Sequence, residues 1–433
     1  MLVDCGLFQG LKELRQRNWR QFPVPASSLD AVILTHAHLD HSGYLPRLYR
    51  EGFRGGVYTT PATHEVAGIL LYDSAHLQEA EAERANRGRY SRHDPAEPLY
   101  GVREVEAVLR LFQPKIANEG FRLGDLTVTF LPAGHILGAA CVRIEADGKS
   151  LVFSGDVGRP DDPLMKPPQP LPSTDFLVLE STYGDRLHAP VEASRELARI
   201  VVETASRGGT LLIPAFAVGR AQTLLQLLAE LQGQGAIPEL PIYLDSPMAI
   251  NISHILCRYQ PEHRLDPKQC HTLCGIATYV PDSEISRKLS RDPRPKIIIA
   301  GAGMLTGGRI LHHLESFGGN PDNCLLVSGY QAAGTRGRKL LDGEHRLRLF
   351  GREIEIRCQV ERLDALSGHA DYRELGDWLS ALPKAPRRVF LTHGEPQAAL
   401  ALKDYLAERL GWQAEIPSEF ESVDLSLDAS GEV

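Results

Sequence analysis

Thr35-His36-Ala37-His38-Leu39-Asp40-His41-Ser42-Gly43 puts three imidazoles and one carboxylate within six residues, directly after the apolar run at 31–35. That run, rich in β-branched and aliphatic side chains, reads as a strand. In an extended loop the side chains of His36 and His38 point the same way, because direction alternates with period two. The two can therefore grip one metal ion, and Asp40 and His41, after a turn, can reach a second. Imidazole nitrogen with carboxylate oxygen and no thiolate suits zinc in a catalytic, water-bearing site rather than a closed structural one.

Completing such sites needs donors from elsewhere, and the strand pattern supplies candidates. Further strands read at 127–131, 141–144, 151–154, 176–180 and 388–392. His135, Asp156 and His393 each follow one of them and each adjoins a glycine, which lets backbone approach an ion closely. The proline-rich stretch at 160–172 reads as a surface loop. From about His188 the pattern changes to longer βα units, with helices at 191–205 and 222–231 and strands at 210–214, 241–245, 296–300 and 324–328. That alternation implies a mostly parallel sheet covered by helices.

The chain has 433 residues, 43% hydrophobic and 24% charged, enough for two or three packed domains at about 100–200 residues each. No uninterrupted apolar run approaches the ~18 residues of a membrane span. There is no basic-then-apolar leader, so a cytoplasmic location is expected. Seven cysteines, an odd number, do not make a secreted disulfide framework. The formal net charge of −8 excludes a uniformly basic nucleic-acid glove. Yet residues 188–350 carry 18 Lys+Arg against 15 Asp+Glu, a net +3, with basic stretches at 287–296 and 336–348. This segment stands apart from an acidic remainder and suits an anionic partner.

His36-Ala37-His38-Leu39-Asp40-His41 resembles the HxHxDH signature of the metallo-β-lactamase fold, and Asp4, His135 and Asp156 follow in that family's order. Glu180-Ser181-Thr182-Tyr183-Gly184, Ser367-Gly368-His369-Ala370-Asp371-Tyr372 and Leu391-Thr392-His393-Gly394-Glu395 resemble the motifs called A, B and C of its β-CASP branch, the RNA- and DNA-processing nucleases. The stretches at 213–222, 244–249 and 301–309 look like parts of a β-CASP domain. The resemblance covers nearly the whole chain and is closest to compact prokaryotic relatives of the mRNA 3′-end cleavage endonuclease. It also implies first strands ahead of the Asp4 motif, at which this sequence begins.

The resemblance implies an α/β fold: an αββα metallo-β-lactamase sandwich from residues 1–187 and 353–433, with an α/β β-CASP domain at 188–352 inserted and the active site in the cleft between the lobes. It implies two zinc ions, one held by His36, His38 and His135, the other by Asp40, His41 and His393, with Asp156 bridging and Asp4 orienting the histidine loop. A hydroxide shared by the two ions would attack phosphorus. His369 would protonate the leaving 3′ oxygen or grip the phosphate, with Glu180 fixing its tautomer. Asp40 counts with this pair as catalytic as well as ligating. Ser367, Arg220 and Arg309 are candidate RNA contacts. The implied activity is hydrolysis of single-stranded RNA to 5′-phosphate and 3′-hydroxyl ends, by internal cleavage or with 5′–3′ exonuclease action. A homodimer is compatible with it, and a membrane partner is not expected. The rivals are a DNA nuclease, another lactamase-fold hydrolase, and a silent scaffold of an RNA-processing complex. DNA-acting branches usually carry a Val where His393 stands, and silent members lose zinc ligands that this sequence keeps.

Two weaker signals stand outside this scheme. Cys257 with Cys270-His271-Thr272-Leu273-Cys274 resembles a second metal knot, but the spacing fits no common closed zinc site, and ordinary thiols are the preferred reading. The Gly-rich stretch at 301–309 lacks the lysine and hydroxyl of a nucleotide-binding loop. It suits contact with an RNA phosphate and tight sheet–helix packing equally.

Overall fold

The structure, a computed structural model, describes residues 1–88, 93–188, 192–329, 331–332 and 334–425. The chain divides into two compact units. One comprises residues 1–9, 13–187 and 368–433, and the other residues 10–12 and 188–367.

The first unit contains two sheets. A parallel four-stranded sheet runs in the order Leu2–Val3, Ala31–Ile33, Gly56–Thr59, Phe112–Pro114. A mixed seven-stranded sheet runs in the order Ala414–Glu415, Arg388–Thr392, Phe176–Glu180, Lys149–Phe153, Ala140–Ala146, Leu126–Pro132, Phe121–Leu123. Ile33 of the first sheet packs among Val128, Phe130, Ala140, Val142 and Ile144 of the second, so the two share an apolar layer. Fully burying a Val, Ile or Phe side chain contributes about 1.5–3 kcal/mol. Helix Pro61–Gly88 packs on the Phe112–Pro114 strand and on helix Val102–Leu109, which packs in turn on Leu45–Arg50, and Tyr372–Ser380 and Pro396–Leu410 pack together beside the larger sheet.

Strand direction positions the site. Leu126–Pro132 and Lys149–Phe153 both run antiparallel to Ala140–Ala146, and Phe176–Glu180 and Arg388–Thr392 continue parallel to Lys149–Phe153. Four strands therefore end at one edge of the sheet, where His135, Asp156, Glu180 and His393 stand.

The second unit is a parallel six-stranded sheet in the order Thr278–Tyr279, Ile242–Asp245, Ile297–Ala300, Leu211–Pro214, Cys324–Ser328, Gln359–Leu363, with a hairpin of Arg346–Leu349 and Arg352–Glu355. A parallel sheet is covered on both faces, so its strands read as unbroken apolar runs. Ile297–Ala300 is buried at every position. Helix Ile310–Phe317 lays Ile310, Leu311, Leu314 and Phe317 on Leu212, Ile298, Leu325 and Val327.

Three details differ from the sequence reading. The strand read at 31–35 ends at Ile33, because the Thr35 N–H leaves the ladder and donates to Asp4 Oδ1 at 2.8 Å. The 160–172 loop is not wholly superficial: Leu164, Met165 and Leu171 are buried, and Trp378 Nε1–H donates to the Gln169 carbonyl. The helix read at 191–205 is seen as Ala193–Ser206, and Val191 lies outside the described residues. No helix among the described residues is long and apolar enough to cross a membrane.

Candidate metal centre and active site

The histidine loop is clamped by the residues that follow the first strand. Cys5 N–H donates to the His41 carbonyl (2.6 Å), Leu7 N–H to Leu39 (2.8 Å), and Tyr44 N–H returns to Cys5 (2.9 Å). A Cβ on Gly6 would collide with the Asp40 carbonyl, so this crossing needs glycine. Asp40 and His41 sit on the short helix Leu39–Ser42. Asp4 and His393 both hold left-handed backbone (φ 58°), a conformation that costs a non-glycine residue of order 1–3 kcal/mol and clusters at functional sites.

Two groups of donors face each other across one carboxylate. His36 Nε2 lies 3.1 Å from His38 Nδ1, which lies 3.2 Å from His135 Nε2. His41 Nε2 lies 2.9 Å from His393 Nε2, and His393 Nε2 lies 3.7 Å from Asp40. Between them, Asp156 Oδ2 is 3.3 Å from His36 and 3.5 Å from His135, while its Oδ1 is 3.4 Å from His41 and 3.3 Å from His393. Ligand-capable atoms of His36, His38, His135 and Asp156 come together as one group, and those of Asp40, His41 and His393 as another.

The outer nitrogens are held so that the inner ones keep lone pairs. Thr35 Oγ1–H donates to Asp4 Oδ2 (2.8 Å), so at 3.1 Å it is His36 Nδ1–H that donates to Thr35. His135 Nδ1–H donates to the Gly368 carbonyl (2.9 Å), and His41 Nδ1–H to Asp4 Oδ2 (2.6 Å). Thr182 Oγ1–H donates to the His393 carbonyl (3.0 Å) and can accept from His393 Nδ1 at 3.2 Å. Thr35, Gly368 and Thr182 lie outside the sequence reading's roles. Their one sequence signal is position: each adjoins or falls inside a quoted motif.

The charges of the cluster are tightly linked. Burial alone would raise the Asp156 carboxyl, but His393, His41, His36 and His369 outweigh it and hold it well below the usual range. Burial likewise opposes the charged form of His41 and His393, yet Asp156 with Asp4 raises the first, and Asp156 with Asp40 raises the second to about 9. His36, His38 and His135 are lowered, by burial first and then by neighbouring imidazoles.

Beside them, His369 Nδ1–H donates to Glu180 Oε2 (3.1 Å), and Glu180 Oε1 accepts from the Val157 N–H (2.5 Å). Glu180 is 1% exposed, whereas the His369 ring keeps 19% of its surface open. Against burial, Glu180 and Asp156 raise His369. Ser367, Arg220 and Arg309 belong to the second unit. Ser367 is buried, Arg220 opens helix Arg220–Gly233, and the Arg309 guanidinium is held by Asp245 Oδ1 (2.6 Å) and the carbonyls of Val280 and Pro281.

The donor set fits a pair of zinc-like ions. It is imidazole and carboxylate without thiolate. Nitrogens 3.1–3.2 Å apart approach the edge, about 3.3–3.4 Å, of a tetrahedron with bonds of about 2.0–2.1 Å. Asp156 Oδ1 is buried and accepts no hydrogen bond, a costly state unless a cation meets it.

Comparison with known proteins matches three domain families along the chain. A beta-lactamase superfamily domain matches residues 1–207, a Beta-Casp domain residues 221–340, and a Zn-dependent metallo-hydrolase RNA specificity domain residues 353–417. Ribonuclease TTHA0252 of Thermus thermophilus is 41% identical over 417 residues, covering 94% of this chain and 91% of that protein. Transcription termination factor FttA of Methanosarcina mazei is 31% identical, covering 98% of this chain and 68% of that one. FttA of Pyrococcus horikoshii is 32% identical, covering 98% and 67%. With its sheets, strand-end donors and three domain matches in register, the chain belongs to the β-CASP family of metallo-β-lactamase-fold, metal-dependent hydrolases.

Proposed function

We propose that the protein is a zinc-dependent ribonuclease that cleaves single-stranded RNA internally, leaving 5′-phosphate and 3′-hydroxyl ends. The observation that carries this reading is Asp156: buried, undonated at Oδ1, and flanked by imidazoles on both oxygens. The 41% identity to a protein named ribonuclease supports RNA as substrate.

In this reading His36, His38 and His135 would hold one ion and Asp40, His41 and His393 the other, with the Asp156 carboxylate available between the two groups. Bound zinc supplies Lewis acidity, which makes water a nucleophile near neutral pH and offsets phosphate charge. Thr35 and Asp4 fix the tautomers of His36 and His41, and the Gly368 carbonyl that of His135. Glu180 holds the His369 proton at Nδ1, and the Nε2–H of the raised imidazolium would protonate the departing 3′ oxygen.

The test is 5′- and 3′-labelled RNA incubated with the protein, alongside metal analysis. Internal fragments and about two zinc ions per chain are expected, since the paired donor groups suit a two-metal site. Ordered release of mononucleotides would replace internal cleavage with exonuclease action, and a metal-free, inactive protein would overturn the reading. His369→Ala should keep its zinc and lose about 10²–10⁴-fold in turnover, the usual worth of a positioned acid.

A further inference from the structure

Two thiols of the second unit come together, though not as a metal site. Cys257 caps the C-terminal end of helix Pro247–Leu256, and Cys274 lies in the last turn of helix Pro267–Gly275. Their Sγ atoms are 3.5 Å apart. The Cys257 thiol also lies 3.7 Å from the Cys270 carbonyl oxygen. Among the described residues, these cysteines belong to no group of three His, Cys, Asp or Glu side chains close enough to hold one ion. A closed zinc site needs about four ligands, so two thiols do not suffice. Cys257 and Cys274 are only partly covered, whereas Cys5, Cys141, Cys270, Cys324 and Cys358 are buried.

We propose that Cys257 and Cys274 form a reversible dithiol–disulfide site, oxidised by a low-molecular-weight disulfide of the glutathione type. A protein disulfide bond is about 2.05 Å long, so the sulfurs must close by about 1.5 Å, a displacement that side-chain rotation can supply. Cys274 is the attacking group. The Cys257 thiol beside it, and then the Tyr279 hydroxyl and His254 and His271, outweigh burial and bring it down to about 6. Cys257 is pushed up and keeps its proton, first by Cys274 and then by burial.

The Cys274 thiolate attacks one sulfur of glutathione disulfide, forming a mixed disulfide and expelling one glutathione thiolate. Cys257 then gives its proton to that thiolate and attacks the Cys274 sulfur, expelling the second glutathione. Two protein thiols are oxidised and one small disulfide is reduced to two thiols. The bond joins the end of one helix to the next and closes the segment containing the turn Gln260–Glu262.

The experiment uses the reduced full-length protein, incubated with oxidised glutathione and mapped by peptide mass spectrometry. The expected product is a Cys257–Cys274 cross-linked peptide, two hydrogens lighter, reversed by dithiothreitol. It should form about ten-fold or more faster than any adduct at Cys141 or Cys324, since reactivity follows thiolate character and exposure. Cys257→Ser should trap one glutathione on Cys274. A persistent glutathione adduct on either thiol of the unmutated protein, a cross-link to Cys270 instead, or no reaction at the pair would overturn the proposal.

Discussion

Asp156 and Asp245 are two aspartates at the C-terminal ends of strands, 2% and 0% exposed, each facing histidine. Their surroundings differ in one respect. Asp245 is saturated: Oδ2 accepts from Ser286 Oγ–H (2.5 Å) and His313 Nε2–H (2.6 Å), and Oδ1 from Arg309 (2.6 Å). Asp156 has four imidazole nitrogens at 3.3–3.5 Å, yet its Oδ1 receives no hydrogen bond. A carboxylate with donors on both oxygens locks its neighbours together. One with a buried oxygen left open among imidazole nitrogens is arranged for a cation.

The contrast predicts opposite phenotypes. Asp156→Asn should lower RNA cleavage by about 10³-fold or more, because metal catalysis supplies several kcal/mol and each decade is about 1.4 kcal/mol. Its zinc content per folded chain should fall. Asp245→Ala should do the reverse, costing roughly 3–5 kcal/mol in urea unfolding by stranding Arg309, with zinc per folded chain unchanged. Wild-type cleavage by the first variant, or zinc loss from the folded second, would erase the distinction.

How far the sequence disclosed this follows from the range of the interactions. The donors at 36–41 are local, so their types and spacing could be read directly. His135, Asp156 and His393 were legible because strands end just before them and glycines adjoin them. Which groups hold those donors was not legible: Gly368 reaches His135 across 233 positions, and Thr182 reaches His393 across 211. The helix Pro61–Gly88 went unassigned for a different reason. Its buried face uses small residues such as Ala62, Ala67 and Ala75, and beyond Ala75 it is largely exposed, so no apolar stripe runs its length. The placement of Arg309 also depends on a distant partner, 64 positions away, which no motif reveals.

A smaller effect separates holding a ligand from being one. Thr35 is buried and touches both Asp4 and His36. Thr35→Val keeps the shape and removes the hydroxyl. Metal affinity should fall by about 10–100-fold, the usual cost of losing a group that orients a ligand. Competition with a chelator measures this. Turnover at saturating zinc should recover, as it would not in His36→Ala.

The smallest effect concerns pH and the saturated carboxylate alone. Burial opposes ionisation of Asp245, but His313, Ser286 and Arg309 prevail and hold its carboxyl below the usual range. A carboxylate depressed in the folded state stabilises fully above its unfolded value of about 3.9 and loses that contribution as pH falls toward the folded value. The difference in unfolding free energy between the parent and Asp245→Ala should therefore stay constant from pH 7 to 5. Below about pH 4 it should shrink by at most about 1.4 kcal/mol per pH unit. Urea titrations at pH 7, 5 and 3.5 test this. A gap that holds at pH 3.5 would mean that shape and neutral hydrogen bonds, rather than ionisation, carry the second unit's network, and saturation by donors would then no longer distinguish a charged structural aspartate from an open one.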